Sequence, residues 1–99
     1  MVRWVRTGRA KAGKMSQAVQ WAKEIAEYIN KKYGVTVSAF ADVFGEIDTI
    51  RWFVDYANLD AIEKLRGELI LDRDYLKKVS PVAELFIEGS FHDTVMRVL

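Results

Sequence analysis

The chain has 99 residues, 51% of them hydrophobic and 29% charged, which is typical of one globular domain rather than of a disordered segment. The absence of cysteine excludes disulfides, thiolate metal sites and cysteine nucleophiles. The net charge of +1 is close to neutral, and we interpret the basic run before Glu24 as a solvated rim, although such a run is also able to steer an anionic ligand.

The first two predicted elements are a strand over residues 2–10 and a helix over residues 15–33. The strand has two mixed sides, one with Val2, Trp4 and Arg6 and the other with Arg3, Val5 and Thr7. In the helix, apolar residues recur at the i, i+3, i+4, i+7 spacing of a single buried stripe. Gly34 follows as a C-cap, and Trp21 lies off the centre of the stripe.

Residues 35–56 form a predicted hairpin with a turn near residues 45–48 and with apolar residues on both sides of each strand. The more aliphatic sides carry Val35, Val37, Ala39, Ala41 and Val43, then Ile50, Trp52, Val54 and Tyr56. The opposite sides carry Phe40, Phe44 and Phe53 among polar residues. A sheet covered by helices on one face alternates apolar with polar residues. These aromatic residues therefore predict a cover for the second face, and we expect a second copy of the sheet to supply it.

The last three elements are two helical segments and a strand. Asn58 is a natural N-cap for a helix over residues 59–71, which Gly67 weakens by about 1 kcal/mol relative to alanine. A further helix over residues 75–86 contains Pro81, which should kink it or start a new helix with Ser80 as its cap. The final strand spans residues 91–99.

The element order is β-α-β-β-α-β in one domain, residues 1–99. With right-handed crossovers, this order predicts an α+β, ferredoxin-like sandwich with a four-stranded antiparallel sheet and helices on one face.

We assign the more aliphatic side of each strand to the helices, which also places Arg3, Val5, Thr94, Met96 and Val98 there. The bare face is then predicted to carry Trp4, Arg6, Phe40, Asp42, Phe44, Arg51, Phe53, Asp55, Asp93, Val95 and Arg97. Exposed aromatic residues of this kind favour association.

Two copies packed sheet to sheet would enclose the lumen of a barrel. We expect such a lumen to bind a small hydrophobic or anionic organic molecule. The candidate lining residues are Trp4, Arg6, Phe40, Arg51, Phe53, Asp55 and Arg97. The alternative is that the arginines only neutralise the aspartates inside the interface.

Three features of the chain resemble the dimeric α+β barrel superfamily: the element order, the segment IRWFVDY at residues 50–56 leading into Asn58 and Leu59, and the segment AELFIEGS at residues 83–90. The chain is most similar to the NIPSNAP-like and antibiotic-biosynthesis-monooxygenase-like branches. The resemblance covers nearly the whole chain and implies a homodimer in which two ferredoxin-like sheets pack face to face.

The resemblance also bears on chemistry. Some members of the superfamily oxidise polycyclic aromatic substrates without metal or flavin, and others bind or degrade haem. The haem-degrading branch uses an asparagine, a tryptophan and a histidine on its second helix. Here the second helix has no histidine and the first strand no asparagine, so we transfer neither haem degradation nor any catalytic residue, and we expect no cofactor.

His92 is the only histidine and therefore a candidate acid, base or ligand. It lacks companions for a metal site apart from Asp93, which points the other way on a strand, so we predict no metal and prefer a structural role. No nucleophile elbow or phosphate-binding loop is present. The sequence leaves open whether the protein is an enzyme.

Two other functions compete with small-molecule binding. One is a protein-interaction module, which an exposed Trp21 would support. The other is RNA binding, because RNA-recognition domains share this element order. That module needs a glycine-containing aromatic motif in its third strand, and the segment at residues 50–56 has no glycine, so we expect no nucleic-acid partner.

The sequence also bears on membranes and location. No apolar run approaches the roughly 18 residues of a membrane helix, and the first residues lack the apolar core of a signal peptide. We therefore expect a cytoplasmic protein that does not bind membranes.

Overall fold

A four-stranded antiparallel sheet in the order β2-β3-β1-β4 forms the framework of the computed structural model, which describes residues 1–99. The elements are β1 (Val2–Arg9), α1 (Met15–Tyr33), β2 (Ser38–Ala41), β3 (Thr49–Tyr56), α2 (Leu59–Leu69), α3 (Arg73–Val79), α4 (Val82–Leu85) and β4 (His92–Arg97). The predicted α+β, ferredoxin-like fold is confirmed. None of the helices has both the length and the apolar character needed to cross a bilayer.

Helix α1 has the bounds that its apolar spacing predicts, and it buries one stripe that includes Ala22, Ile25 and Ile29. It ends at Gly34, whose φ of 66° is left-handed and whose backbone N–H donates to the carbonyl of Asn30. Glycine adopts that conformation without the steric penalty that a Cβ would bring.

The second helical region divides at Pro81, as its sequence predicts. Ser80, however, ends α3 rather than capping α4, because its hydroxyl donates to the carbonyl of Lys77 at 2.8 Å. Asn58 caps α2 as expected, its side-chain oxygen accepting from the backbone N–H of Ala61 at 3.0 Å. The region therefore consists of one helix of 11 residues and two shorter ones.

A buried carboxylate ties α3 to α1. The side chain of Asp72 is 3% exposed and accepts hydrogen bonds from the phenols of Tyr28 (2.8 Å) and Tyr33 (2.6 Å), while Lys32 lies 3.0 Å away. It also accepts from the backbone N–H of Tyr75 and so caps α3. These donors hold the pKa of Asp72 far below its usual range, and the hydrogen bond to the carboxylate raises the pKa of Tyr33 to about 12.

The register corrects the predicted faces of two strands. Trp4 lies opposite Val54, and Arg6 lies opposite both Trp52 in β3 and Asp93 in β4. Directly opposite residues of antiparallel strands share a face. The residues Trp4, Arg6, Asp93, Val95 and Arg97 therefore lie on the helix side, whereas Arg3, Val5, Thr94 and Met96 lie on the open face.

The assignments of β2 and β3 are confirmed, because Phe40 lies opposite Arg51 on the open face and Ala39 opposite Trp52 on the helix side. Strand β2 is shorter than predicted. Phe44, assigned to the open sheet face, lies beyond its end in the loop before β3 and is almost fully exposed.

Candidate functional site

A cavity of about 530 Å³ lies between the sheet and the helices. Most of its lining is apolar, because the buried stripe of α1 and the apolar face of α2 both point at it. The sheet contributes its floor through Trp4, Trp52 and Val54. Tyr75 and Val79 of α3 also line the cavity. Its volume and its largely apolar lining lie within the range that is typical of pockets for small organic molecules.

One end of the cavity is built from aromatic rings. Phe91 stacks on Trp52 with ring centroids 6.0 Å apart, and Phe86 meets Phe91 edge-on at 4.8 Å. Trp21 meets Trp52 edge-on at 5.9 Å and donates its indole N–H to the carbonyl of Lys78. Trp21 is thus half-buried and packs against the core cluster, which removes the support that its exposure would have given to an interaction module.

This aromatic cluster requires glycine at position 8. A Cβ placed on Gly8 would lie 2.8, 2.9 and 3.1 Å from three ring atoms of Phe91. Any side chain there would push Phe91 off its stacked position against Trp52.

The polar end of the cavity is an ion pair between neighbouring strands. Arg6 donates from Nε and Nη2 to the two carboxylate oxygens of Asp93 at 2.7 and 2.9 Å. The hydrogen bond from Arg6 holds the pKa of Asp93 below its usual range, and the same bond raises the pKa of Arg6. The guanidinium also lies 5.2 Å from the ring centroid of Trp4. This polar end therefore carries two opposite charges that compensate each other.

Tyr75 and His92 complete the polar lining. Burial raises the pKa of the Tyr75 phenol, while the nearby Arg6 guanidinium opposes that rise. The phenol is therefore protonated at neutral pH and is able to donate a hydrogen bond into the cavity. His92 lies beside Asp93 at the start of β4, with Nδ1 3.2 Å from the carbonyl of Ser90.

The open face of the sheet carries a second group of aromatic and charged residues. Phe40 and Phe53 meet edge-on at 5.4 Å. Arg3 donates to both oxygens of Asp55 at 2.7 and 2.9 Å and lies over the ring of Phe53. Arg51 pairs in the same way with Asp42 at 2.9 and 3.0 Å.

Both arginines of this face hold the pKa of their aspartates below its usual range. Arginine and aspartate neutralise each other within the chain, with Arg3 rather than Arg6 or Arg97 paired with Asp55.

The structure divides the sequence-predicted site residues between two places. Phe40, Arg51, Phe53 and Asp55 lie together on the open face. Trp4 and Arg6 line the helix-side cavity, which Phe53 and His92 also touch although their register places both on the open face. Arg97 lies at the end of β4, exposed and without an ion pair.

The sequence did not identify Tyr75 or Phe91 as cavity residues. The feature that pointed toward the cavity was the position of Trp21 beside the buried apolar stripe of α1. The chain has no cluster of three or more histidine, cysteine or carboxylate side chains placed to hold a metal ion.

Comparison with solved structures finds the same fold in several bacterial proteins. Protein Atu4242 from Agrobacterium tumefaciens superposes with a TM-score of 0.83 at 20% identity, over 100% of this chain and 94% of that chain. An uncharacterized NIPSNAP domain protein from Burkholderia xenovorans gives 0.84 at 14% identity, over 100% and 95%. A putative antibiotic biosynthesis monooxygenase from Deinococcus radiodurans gives 0.73 at 15% identity, over 100% and 93%.

Comparison with curated protein sequences finds no match. The NIPSNAP family model matches residues 4–98, which is nearly the whole chain. The chain therefore belongs to the NIPSNAP family.

Proposed function

We propose that this NIPSNAP protein binds a small, largely apolar organic molecule in the cavity between its sheet and its helices. The carrying observation is a mostly apolar space of about 530 Å³ whose two charged lining residues, Arg6 and Asp93, already pair with each other. Cavities of roughly 300–1,000 Å³ with few polar groups are typical of small-molecule sites. The sequence predicted a ligand in the lumen between two sheets, whereas the proposed site lies inside one subunit.

The tryptophans supply the test, because all three line the cavity. A neutral naphthalene probe should quench their fluorescence with saturation, and native mass spectrometry of the purified protein would reveal a ligand that is retained.

Val79→Phe should fill the cavity and weaken probe binding at least about tenfold, because Val79 lines it. Leu76→Phe is the matched control, since Leu76 is an exposed residue of the same helix that does not line the cavity. Equal binding by both variants would contradict the proposal.

We propose further that the protein is a homodimer closed through its open sheet faces. Phe40 is 49% exposed and Met96 is 45% exposed on that face, an apolar surface that a monomer would leave in water. A hollow of about 560 Å³ along the same face contains Phe40, Arg51, Phe53 and Asp55, and a second sheet would convert it into the lumen of a barrel. In that lumen the Arg–Asp pairs would be part of the interface.

Sedimentation equilibrium tests the assembly. Phe40→Glu should shift the dimer to a monomer, because it would bury a charge without a partner. Ile70→Glu is the control, since Ile70 is an exposed position outside the strands. A wild-type monomer at tens of micromolar would contradict the homodimer and would return the open face to the competing interaction-module function.

A second candidate function is oxidation of the bound molecule without a cofactor. The monooxygenase name of the Deinococcus radiodurans structure and the aromatic lining with its phenol donor, Tyr75, favour it. Oxygen consumption with a reduced polycyclic phenol tests this function. An equal rate without protein would leave binding as the activity, and an equal rate with the Tyr75→Phe variant would exclude the phenol from the reaction.

A further inference from the structure

The charge of the cavity is decided by one contact between β1 and β4. Arg6 and Asp93 lie directly opposite each other in the register, so their side chains emerge side by side on the cavity face. The contact is bidentate, with Nε and Nη2 of Arg6 both donating to the Asp93 carboxylate. Planar pairing of this kind fixes the guanidinium more firmly than a single hydrogen bond would.

Without Asp93 this would be an anion site. Arg6 would then be the only cation in an apolar cavity, next to the phenol of Tyr75, and guanidinium is the side chain best suited to hold a carboxylate. With Asp93 present, its charge cancels that of Arg6, and the Tyr75 phenol adds no charge at neutral pH. Asp93 remains ionised because Arg6 holds its pKa below the usual range.

The pairing of Arg6 with Asp93 affects neutral and anionic ligands differently. A ligand carboxylate would lose its hydration and be repelled by the negative charge of Asp93. Arg6 could donate to that carboxylate from Nε and Nη2 only by breaking its hydrogen bonds to Asp93. A neutral carbonyl or ether oxygen meets no such repulsion. It accepts a hydrogen bond from the Tyr75 phenol or from Nη1 of Arg6, which the Asp93 contact does not use.

We propose that Asp93 sets the specificity of the cavity by neutralising Arg6, so that the cavity takes neutral molecules with an acceptor oxygen and rejects carboxylates. This inference rests on the proposed binding function and narrows it, since the sequence alone left hydrophobic and anionic ligands as equals. The ion pair is partly exposed, with side chains 38% and 36% accessible, so we expect discrimination of about tenfold rather than more.

Two probes of nearly equal shape test the inference. 2-Acetylnaphthalene is a neutral ketone, and 2-naphthoate is its carboxylate counterpart at pH 7. Wild-type protein should bind the ketone about tenfold more tightly, as measured by tryptophan fluorescence. Asp93→Asn keeps the shape and leaves Arg6 unpaired, so it should strengthen naphthoate binding about tenfold while changing ketone binding less than about threefold.

The protein contains its own control. Arg66 and Glu63 form an exposed ion pair on α2, and neither lines the cavity, so Glu63→Gln should change neither affinity. The double variant Arg6→Gln/Asp93→Asn removes both charges and should again reject naphthoate, which separates charge from any effect of the single substitution on packing.

The outcomes are distinct. If both probes bind the wild type equally, or if Asp93→Asn binds the ketone but gains nothing for naphthoate, the inference is overturned while the binding function stands. If neither probe binds, the proposed function fails together with the inference. The wild-type comparison needs no variant, so it decides the matter even if Asp93→Asn does not fold.

Discussion

Gly8→Ala should destabilise the protein because β1 leaves no room for a methyl group under Phe91. The added Cβ would lie 2.8 Å from the nearest ring atom and 2.9 and 3.1 Å from the next two. Ordinary carbon contacts begin near about 3.5 Å, so the ring would have to retreat by roughly half an ångström or more. Trp52 and Phe86 stand against Phe91 and oppose that retreat.

The magnitude follows from two opposing effects. Overpacking a filled core costs about 1–3 kcal/mol, and alanine regains about 0.5–1 kcal/mol over glycine in a strand. The expected net loss is about 1–2 kcal/mol in the free energy of unfolding, or a fall in Tm of roughly 5–15 °C for a domain of this size.

Gly67→Ala is the matched control, since a Cβ at Gly67 in α2 would meet nothing within 4 Å. The same substitution should there raise the free energy of unfolding by about 1 kcal/mol, because alanine favours helix.

The assay is urea denaturation followed by tryptophan fluorescence, at one protein concentration for all variants. The reasoning is refuted if Gly8→Ala is as stable as the wild type. It is also refuted if both alanine variants shift stability in the same direction, because the opposite signs come only from the space above each glycine.

Three further predictions concern the helices. Asp72→Asn should lower Tm at neutral pH and make Tm fall less steeply in acid. The pKa of Asp72 in the folded protein lies below the unfolded value of about 3.9. The carboxylate therefore stabilises the fold fully above about pH 3.9, and this stabilisation is lost as the pH falls toward the folded pKa. Melting curves from pH 7 to pH 2 check this, and parallel wild-type and variant curves would contradict it. In a spectrophotometric titration, one phenol of the wild type, Tyr33, should ionise near pH 12, and Asp72→Asn should bring that step closer to pH 10; an unmoved step would exclude the carboxylate as the cause. Asn58→Ala should cost about 1 kcal/mol in the free energy of unfolding by removing the cap of α2, whereas Asn58→Ser should retain most of that stability. An alanine variant as stable as the wild type would show that the cap contributes nothing.

The sequence predicted the faces of β3 because burial in that strand follows the strand period. Strand β3 alternates buried Ile50, Trp52 and Val54 with partly exposed neighbours, so apolar and polar positions separate by parity. Strand β1 gives no such signal, since it is central and buries both Trp4 and Val5 on opposite faces. Every residue of β4 is exposed, so apolar and polar residues do not alternate in a way that distinguishes its two faces.

The cavity was beyond sequence reasoning for a related reason. Its polar end depends on Arg6 lying opposite Asp93, a register between residues 87 positions apart that no local pattern encodes. The sequence predicted that Arg6 would face the lumen and be available to an anion. In the structure Arg6 lies on the helix side and pairs with Asp93 inside one subunit.

The division of the helical wall at Pro81 has a kinetic consequence. Helices α3 and α4 have seven and four residues, too few to persist without their contacts to the rest of the protein. Side-chain anchors hold them, chiefly Asp72 and the indole of Trp21. We expect this wall to open at a lower free energy than the sheet behind it unfolds, so a molecule bound in the cavity would be released faster than the whole protein unfolds.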